Sequence, residues 1–230
     1  MRAWQDRWPG LLLLAFATCR PAESKAPLPQ HYADKDAAIA RFDNPARDAW
    51  AMPDRVVAAL PLDDPAATVA DIGAGSGYFS RRLANRVPNG QVLAVDVDSD
   101  FKRHIETHRD AWGTPNIEPR LAVYENPLLP AAAVDLVFVS NTYAYLNDRI
   151  AYFQAVHRAL TPDGTLAIVE FRKDAQCESA DVCPPVEHRI PRAQAIAELE
   201  QAGFRLEREE TFLPWQYFLL LRKAAELSTR

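Results

Sequence analysis

The residues best suited to chemistry stand at Asp71-Ile72-Gly73-Ala74-Gly75-Ser76-Gly77, where three of the chain's eight glycines alternate within five positions. Val69, Ala70 and Ile72 suit a strand covered on both faces. Alternating glycines let the backbone turn sharply and let a ligand lie where a Cβ would intrude. A helix opening at Tyr78 would then aim its unpaired N–H groups at that ligand. Asp96 ends a second apolar run, 91–96, about 20 residues past the glycines, where a carboxylate that accepts both ribose hydroxyls belongs. The pair of features predicts nucleotide-type binding. A dinucleotide turn needs G-x-G-x-x-G, and its third glycine falls on Tyr78 or Ser80 in the two registers, so a nicotinamide dehydrogenase fails on spacing.

Other candidates are thinner. Asn141 and Tyr143 follow the apolar run 135–140, at the carboxyl end of a strand, where open α/β sheets bind ligands. His104 and His108 lie one helical turn apart, but the string His-Ile-Glu-Thr-His misplaces the glutamate of a zinc motif and no third ligand presents itself. An exposed helix face is the better reading, and no metal is expected.

With its flanks, D-x-G-x-G-x-G resembles motif I of class I S-adenosylmethionine (SAM) methyltransferases. The upstream segment Pro45-Ala46-Arg47-Asp48-Ala49-Trp50 is similar to one in a bacterial group of exported methyltransferase-like proteins. The resemblance implies SAM as cofactor, with Asp71 near its methionine end and the backbone of Gly73, Ala74, Gly75 and Gly77 beneath it. Tyr78, Val97 and Asn141 would be further contacts, and Asp96 would hold the ribose. That group often carries two histidines after Asn-Thr-Tyr. Here Ala144 and Tyr145 stand in their place, so a histidine base or metal ligand is absent or moved, and Asn141 and Tyr143 become the catalytic candidates. Arg47 and Trp50 either form a lid over the cofactor or serve as a surface ion pair and a core plug.

The elements that must position these residues alternate. Strands are expected over 68–72, 91–96, 117–123, 135–140 and 165–171, with helices over 78–87 and 149–160 and from Pro191 to Gly203. Runs 204–211 and 217–221, joined by a short loop with Pro214, must pair antiparallel. The pattern, read with the resemblance, gives an α/β fold: a doubly wound, Rossmann-like seven-stranded sheet, mostly parallel, with a C-terminal antiparallel hairpin.

A net charge of −5 without a basic cluster argues against nucleic acid as a partner. Arg2 and Arg7, then an apolar stretch over 11–17, outline a secretory signal over 1–19, too short to span a membrane. Cleavage would fall before Thr18 or, if Phe16-Ala17-Thr18-Cys19 acts as a lipobox, at an acylated Cys19 that anchors the chain to a membrane. A linker over 20–30 then leads to one domain over 31–225 with a lid segment over 31–60. Export to a bacterial periplasm or envelope leaves Cys177 and Cys183, close in a polar stretch, as a disulfide pair. The function expected is methyl transfer to a small molecule or envelope component. The rival is an exported SAM- or nucleoside-binding protein on an inactive scaffold.

Overall fold

The computed structural model describes residues 32–177 and 183–224. The expected export signal, Cys19, the expected linker and the interior of the cysteine ring lie outside those residues. An arm of α1 (Lys35–Phe42), α2 (Asp48–Ala51) and α3 (Pro53–Ala59) precedes β1 (Thr68–Ile72). Then come α4 (Tyr78–Arg86), β2 (Gln91–Asp96), α5 (Ser99–His108), β3 (Ile117–Leu121) and β4 (Val134–Ser140). The chain continues through α6 (Arg149–Ala159), β5 (Leu160–Phe171), α7 (Arg192–Gln201), β6 (Phe204–Glu210) and β7 (Gln216–Lys223).

All seven strands join one sheet in the order β3-β2-β1-β4-β5-β7-β6. β1 to β5 are parallel, and β7 lies antiparallel between β5 and β6. This is the expected doubly wound α/β sheet. The strand order reverses between β1 and β4, which places the ligand crevice at their carboxyl ends.

Strand alternation explains why the runs are apolar throughout. Val69, Val92, Leu136, Phe138 and Phe218 face α3, α4 and α5, where Val56, Phe79, Leu83 and Ile105 are buried. Ala70, Leu93, Val137, Val139 and Leu219 face α6 and α7, where Phe153, Val156, Ala195 and Leu199 are buried. A sheet covered on both faces has no polar side to show.

Two boundaries differ from expectation. β5 starts at Leu160, which pairs with Val134 before the register shifts to Leu136 and Thr165. Pro162-Asp163-Gly164 is therefore an irregularity inside the strand instead of a turn before it. β3 ends at Leu121, and Val123 makes only an isolated bridge to Asn126.

Candidate functional site

The glycine turn hangs from the end of β2. The N–H groups of Gly73 and Ala74 both donate to Val95 O, at 2.8 and 3.1 Å. Gly75 N–H donates to Asp96 Oδ2 at 2.8 Å, and Asp98 N–H to Asp96 Oδ1 at 3.0 Å. The Val97 N–H also donates to this carboxylate, and of its roughly four acceptor positions some capacity remains for a ribose hydroxyl. Burial raises the Asp96 pKa, and the N–H donors of Asp98 and Gly75 draw it back. Val97 sits between them. Asp98 caps α5 by accepting the Asp100 N–H at 2.9 Å, as a short acidic side chain there should.

Gly73 has a second reason to be glycine. Its φ is +76°, and a Cβ would lie 2.1 Å from Thr142 Oγ1. The turn is thus pressed against the loop that follows β4. Asp71, the residue expected near the methionine end, lies within the electrostatic reach of Asp96 and Arg47. It is buried on the Val69 face, under α4, and accepts the Ser80 hydroxyl at 2.6 Å. Burial pushes it up to about 6. It fastens the first turn of α4 to β1.

The arm closes over this turn. Asn44 caps the short turn at Pro45–Arg47 by accepting the Ala46 N–H at 2.9 Å, and Pro45 starts it with φ already suited. Asp43 pairs with Arg81 and accepts the Ser76 hydroxyl, both at 2.7 Å. Lys35 pairs with Asp98, and Tyr78 donates its hydroxyl to Asp48. Tyr32, Phe42 and Phe101 form an aromatic trio with centroids 5.2 to 5.9 Å apart, and Phe42 covers Gly75. Tyr32, pushed up to about 12 by burial, lies within the electrostatic reach of Asp96 and Tyr145.

Arg47 makes no surface ion pair among the described residues. Its guanidinium lies 4.0 Å from the centre of the Tyr78 ring, and Nη1 donates to Phe42 O at 3.0 Å. Nε is buried without a hydrogen-bond partner among the described residues. Tyr78 is therefore an anchor of the arm as well as the first residue of α4. Trp50 packs against Phe171 and Trp215, with centroids 5.6 and 5.9 Å away.

The other half of the carboxyl edge is formed by β4, β5 and β7. Asn141 has φ +55° and its Oδ1 accepts from Gln216 Nε2 at 2.6 Å. Tyr143 corrects the sequence reading. It is wholly buried, stacks on Phe153 with centroids 5.2 Å apart, and donates to Glu198 Oε2 at 2.7 Å. The short helical turn at Tyr143–Tyr145 swings its ring down into the α6/α7 layer. Glu198 is meanwhile gripped by Arg149 at 2.7 Å. Tyr143 is thus structural, and Asn141 alone of the two catalytic candidates stays at the strand end.

Sequence reasoning missed Glu170, Gln216 and Arg189. Glu170 is buried at the end of β5 and pushed up to about 7 by burial. Its signal was an acid closing an otherwise apolar strand. Arg189 is buried and donates to Pro184 O and Ala175 O, both at 2.8 Å. It ties together the loop that carries the cysteines. Cys177 and Cys183 are disulfide-bonded, with Cα atoms 6.1 Å apart, as expected. His108 stacks on Trp112, His104 packs at a tilt against both, and no group of three metal-ligating side chains forms among the described residues.

Residues 69–164 match a family described as a methyltransferase domain. The chain is 31% identical over 175 residues to a trans-aconitate 2-methyltransferase of Azoarcus sp. (strain BH72), covering 75% of this chain and 62% of that one. A trans-aconitate 2-methyltransferase of Rhodopseudomonas palustris (strain BisB18) is 32% identical, over 54% of this chain and 43% of its own length. The chain thus spans less than two thirds of these relatives. Among solved structures, a SAM-dependent methyltransferase from Aquifex aeolicus shares the fold with a TM-score of 0.75 at 24% identity, covering 83% of this chain and 98% of that one. The [4+2]-cyclase SpnF shares it at 0.65 and 16% identity, over 76% of this chain and 81% of that one.

Proposed function

Starting from a methyltransferase domain on a methyltransferase fold, we propose that the chain transfers a methyl group from SAM to a small molecule or an envelope component. The cofactor is SAM. The observation that carries the reading is the fit of the residues to that cofactor. Asp96 keeps acceptor capacity at the ribose position, backed by Gly75 and Asp98 N–H groups. Arg47, half-buried with its Nε buried and unpartnered among the described residues, is the cation that would meet the methionine carboxylate.

When bound, SAM supplies a methyl group on a sulfonium, a carbon open to in-line displacement. The chain's task is then to hold an acceptor opposite that carbon and to keep water out. Held geometry alone can supply much of the rate. The arm, clamped by Asp43–Arg81 and Lys35–Asp98, excludes water from the turn. Asn141, fixed by Gln216, is the polar group left to orient an acceptor at the end of β4. A base is needed only for an acceptor that arrives protonated.

The basic N-terminal stretch with its apolar run, and the Cys177–Cys183 disulfide, support export to a bacterial envelope, with Cys19 as the lipid anchor if the lipobox is the signal that is cleaved. The rival reading, a binding protein without turnover, is favoured by one observation: Tyr143 is spent on Glu198 instead of the acceptor side. Isothermal titration with SAM and S-adenosylhomocysteine, followed by transfer of labelled methyl to an envelope extract, tests both. Failure of either ligand to bind folded protein ends the cofactor reading, and binding without transfer favours the rival.

A further inference from the structure

Among the described residues, Glu170 is buried with no cation beside it and is held by backbone N–H groups. Oε1 accepts the Phe171 N–H at 2.9 Å, and Oε2 the Ala144 N–H at 3.4 Å, with the Tyr143 N–H as a third donor. It therefore fastens the turn after β4 to the end of β5. The same turn carries Thr142, whose side chain fills the space where Gly73 has no Cβ. A continuous packed path runs from Glu170 through Ala144 and Thr142 to the first glycine of the cofactor turn.

We propose that Glu170 is a positioning residue: as a carboxylate it clasps the turn at Tyr143–Tyr145 and holds Thr142 against Gly73, so its charge state sets the shape of the cofactor cradle. The proposal rests on the cofactor reading above and adds its control. Burial raises the Glu170 pKa to about 7, and the backbone N–H groups of Phe171, Ala144 and Tyr143 oppose that rise. Protonation falls on Oε2, whose N–H donor is the farther; that oxygen then accepts the Ala144 N–H only weakly, while Oε1 keeps its bond to Phe171 N–H. The ionisable neighbours do not change charge near neutral pH. Tyr217 stands opposite on β7, and Tyr143 sits in the clasped turn. Both are raised far by burial. Arg149 on α6 is raised and Glu198 on α7 lowered by their mutual hydrogen bonds.

The test is amide hydrogen exchange of the full chain from pH 5.5 to 8.5, corrected for intrinsic rates, together with titration by S-adenosylhomocysteine. Lifting the turn alone leaves Glu170 buried without the Ala144 and Tyr143 donors, a state that disfavours the carboxylate further, so protection of these two amides in the wild type should rise about tenfold between pH 6 and 8 even as global stability falls. Affinity for S-adenosylhomocysteine should follow the same curve. Glu170→Gln, isosteric and neutral, should hold the low-pH value of both throughout. The wild-type curve needs no variant, so a poorly folding E170Q leaves the test intact. Flat protection in the wild type overturns the clasp. Protection that titrates while affinity stays flat overturns the link to the cradle. If S-adenosylhomocysteine binds at no pH, the cofactor reading falls and the cradle link with it, while the exchange data still decide the clasp.

Discussion

The two halves of the sheet's carboxyl edge are built by different means. Over β1 and β2 the site is made of backbone: three glycines with φ of +53° to +81°, two N–H groups on Val95 O, and one on Asp96. Over β4, β5 and β7 it is made of side chains from distant parts of the chain: Asn141 on Gln216, Glu170 under Ala144, Arg189 across the loop at 172–184. On the proposed reading, the first half binds a constant cofactor and can be fixed by a short local motif, while the second fits a particular acceptor and is assembled from long-range contacts. The two halves meet where Thr142 fills the space beside Gly73.

Breaking that meeting point should have the largest effect. Gly73→Ala would set a Cβ 2.1 Å from Thr142 Oγ1 at a φ of +76°. Left-handed strain and overpacking together should cost about 3 kcal/mol or more. Denaturant titration should show the loss, and S-adenosylhomocysteine binding should weaken with it. Unchanged stability would mean that the halves do not lean on one another there.

The buried carboxyls sharpen the comparison by pH. Unfolded Glu170 titrates at 4.5 and folded Glu170 at about 7. The native state therefore binds more protons between those values. Glu170 contributes stability that is complete below pH 4.5 and lost as pH rises through about 7. The loss is about 3 kcal/mol. Asp71, raised from 3.8 to about 6, has the same sign in a lower window. Chemical denaturation from pH 4 to 8 should show stability falling through both windows, and E170Q should remove only the upper fall. An unchanged upper fall in E170Q would assign it to another group.

Asp96→Ala probes the backbone-built half without touching the other. It should weaken S-adenosylhomocysteine binding by roughly 1–3 kcal/mol through lost charged hydrogen bonds, read by isothermal titration. An equal loss of global stability would show that Asp96 chiefly holds Gly75 and the α5 entry.

The same contrast decides what was legible in the sequence. β1 and β2 fall at Thr68–Ile72 and Gln91–Asp96, as read, because apolar runs bounded by glycine and Pro88-Asn89-Gly90 have few other foldings. The antiparallel end was legible from the shortness of the loop before β7. Tyr143 was not, since its direction depends on a single helical turn and on Glu198, 55 residues further on. Nor was Arg189, whose partners are carbonyls that carry no sequence signal. The Ser80 partner of Asp71 was not legible either, because a buried strand residue points to one face or the other, and here its face is under α4.

The disulfide should have the smallest effect, and it bears on the side-chain-built half alone. The ring from Cys177 to Cys183 has a sequence separation of 6. Chain-entropy arithmetic for so short a ring gives about 2 kcal/mol before any strain is subtracted. Arg189 already binds carbonyls on both flanks of that ring, Ala175 O before it and Pro184 O after it. Losing the bond should therefore loosen the ring without freeing the loop ends. Cys177→Ser with Cys183→Ser should lower the unfolding midpoint slightly, leave S-adenosylhomocysteine affinity unchanged, and raise hydrogen exchange only between Arg172 and Arg189. A weakened affinity for the cofactor product would mean that the loop reaches across to the glycine turn, and the division between the two halves would not hold.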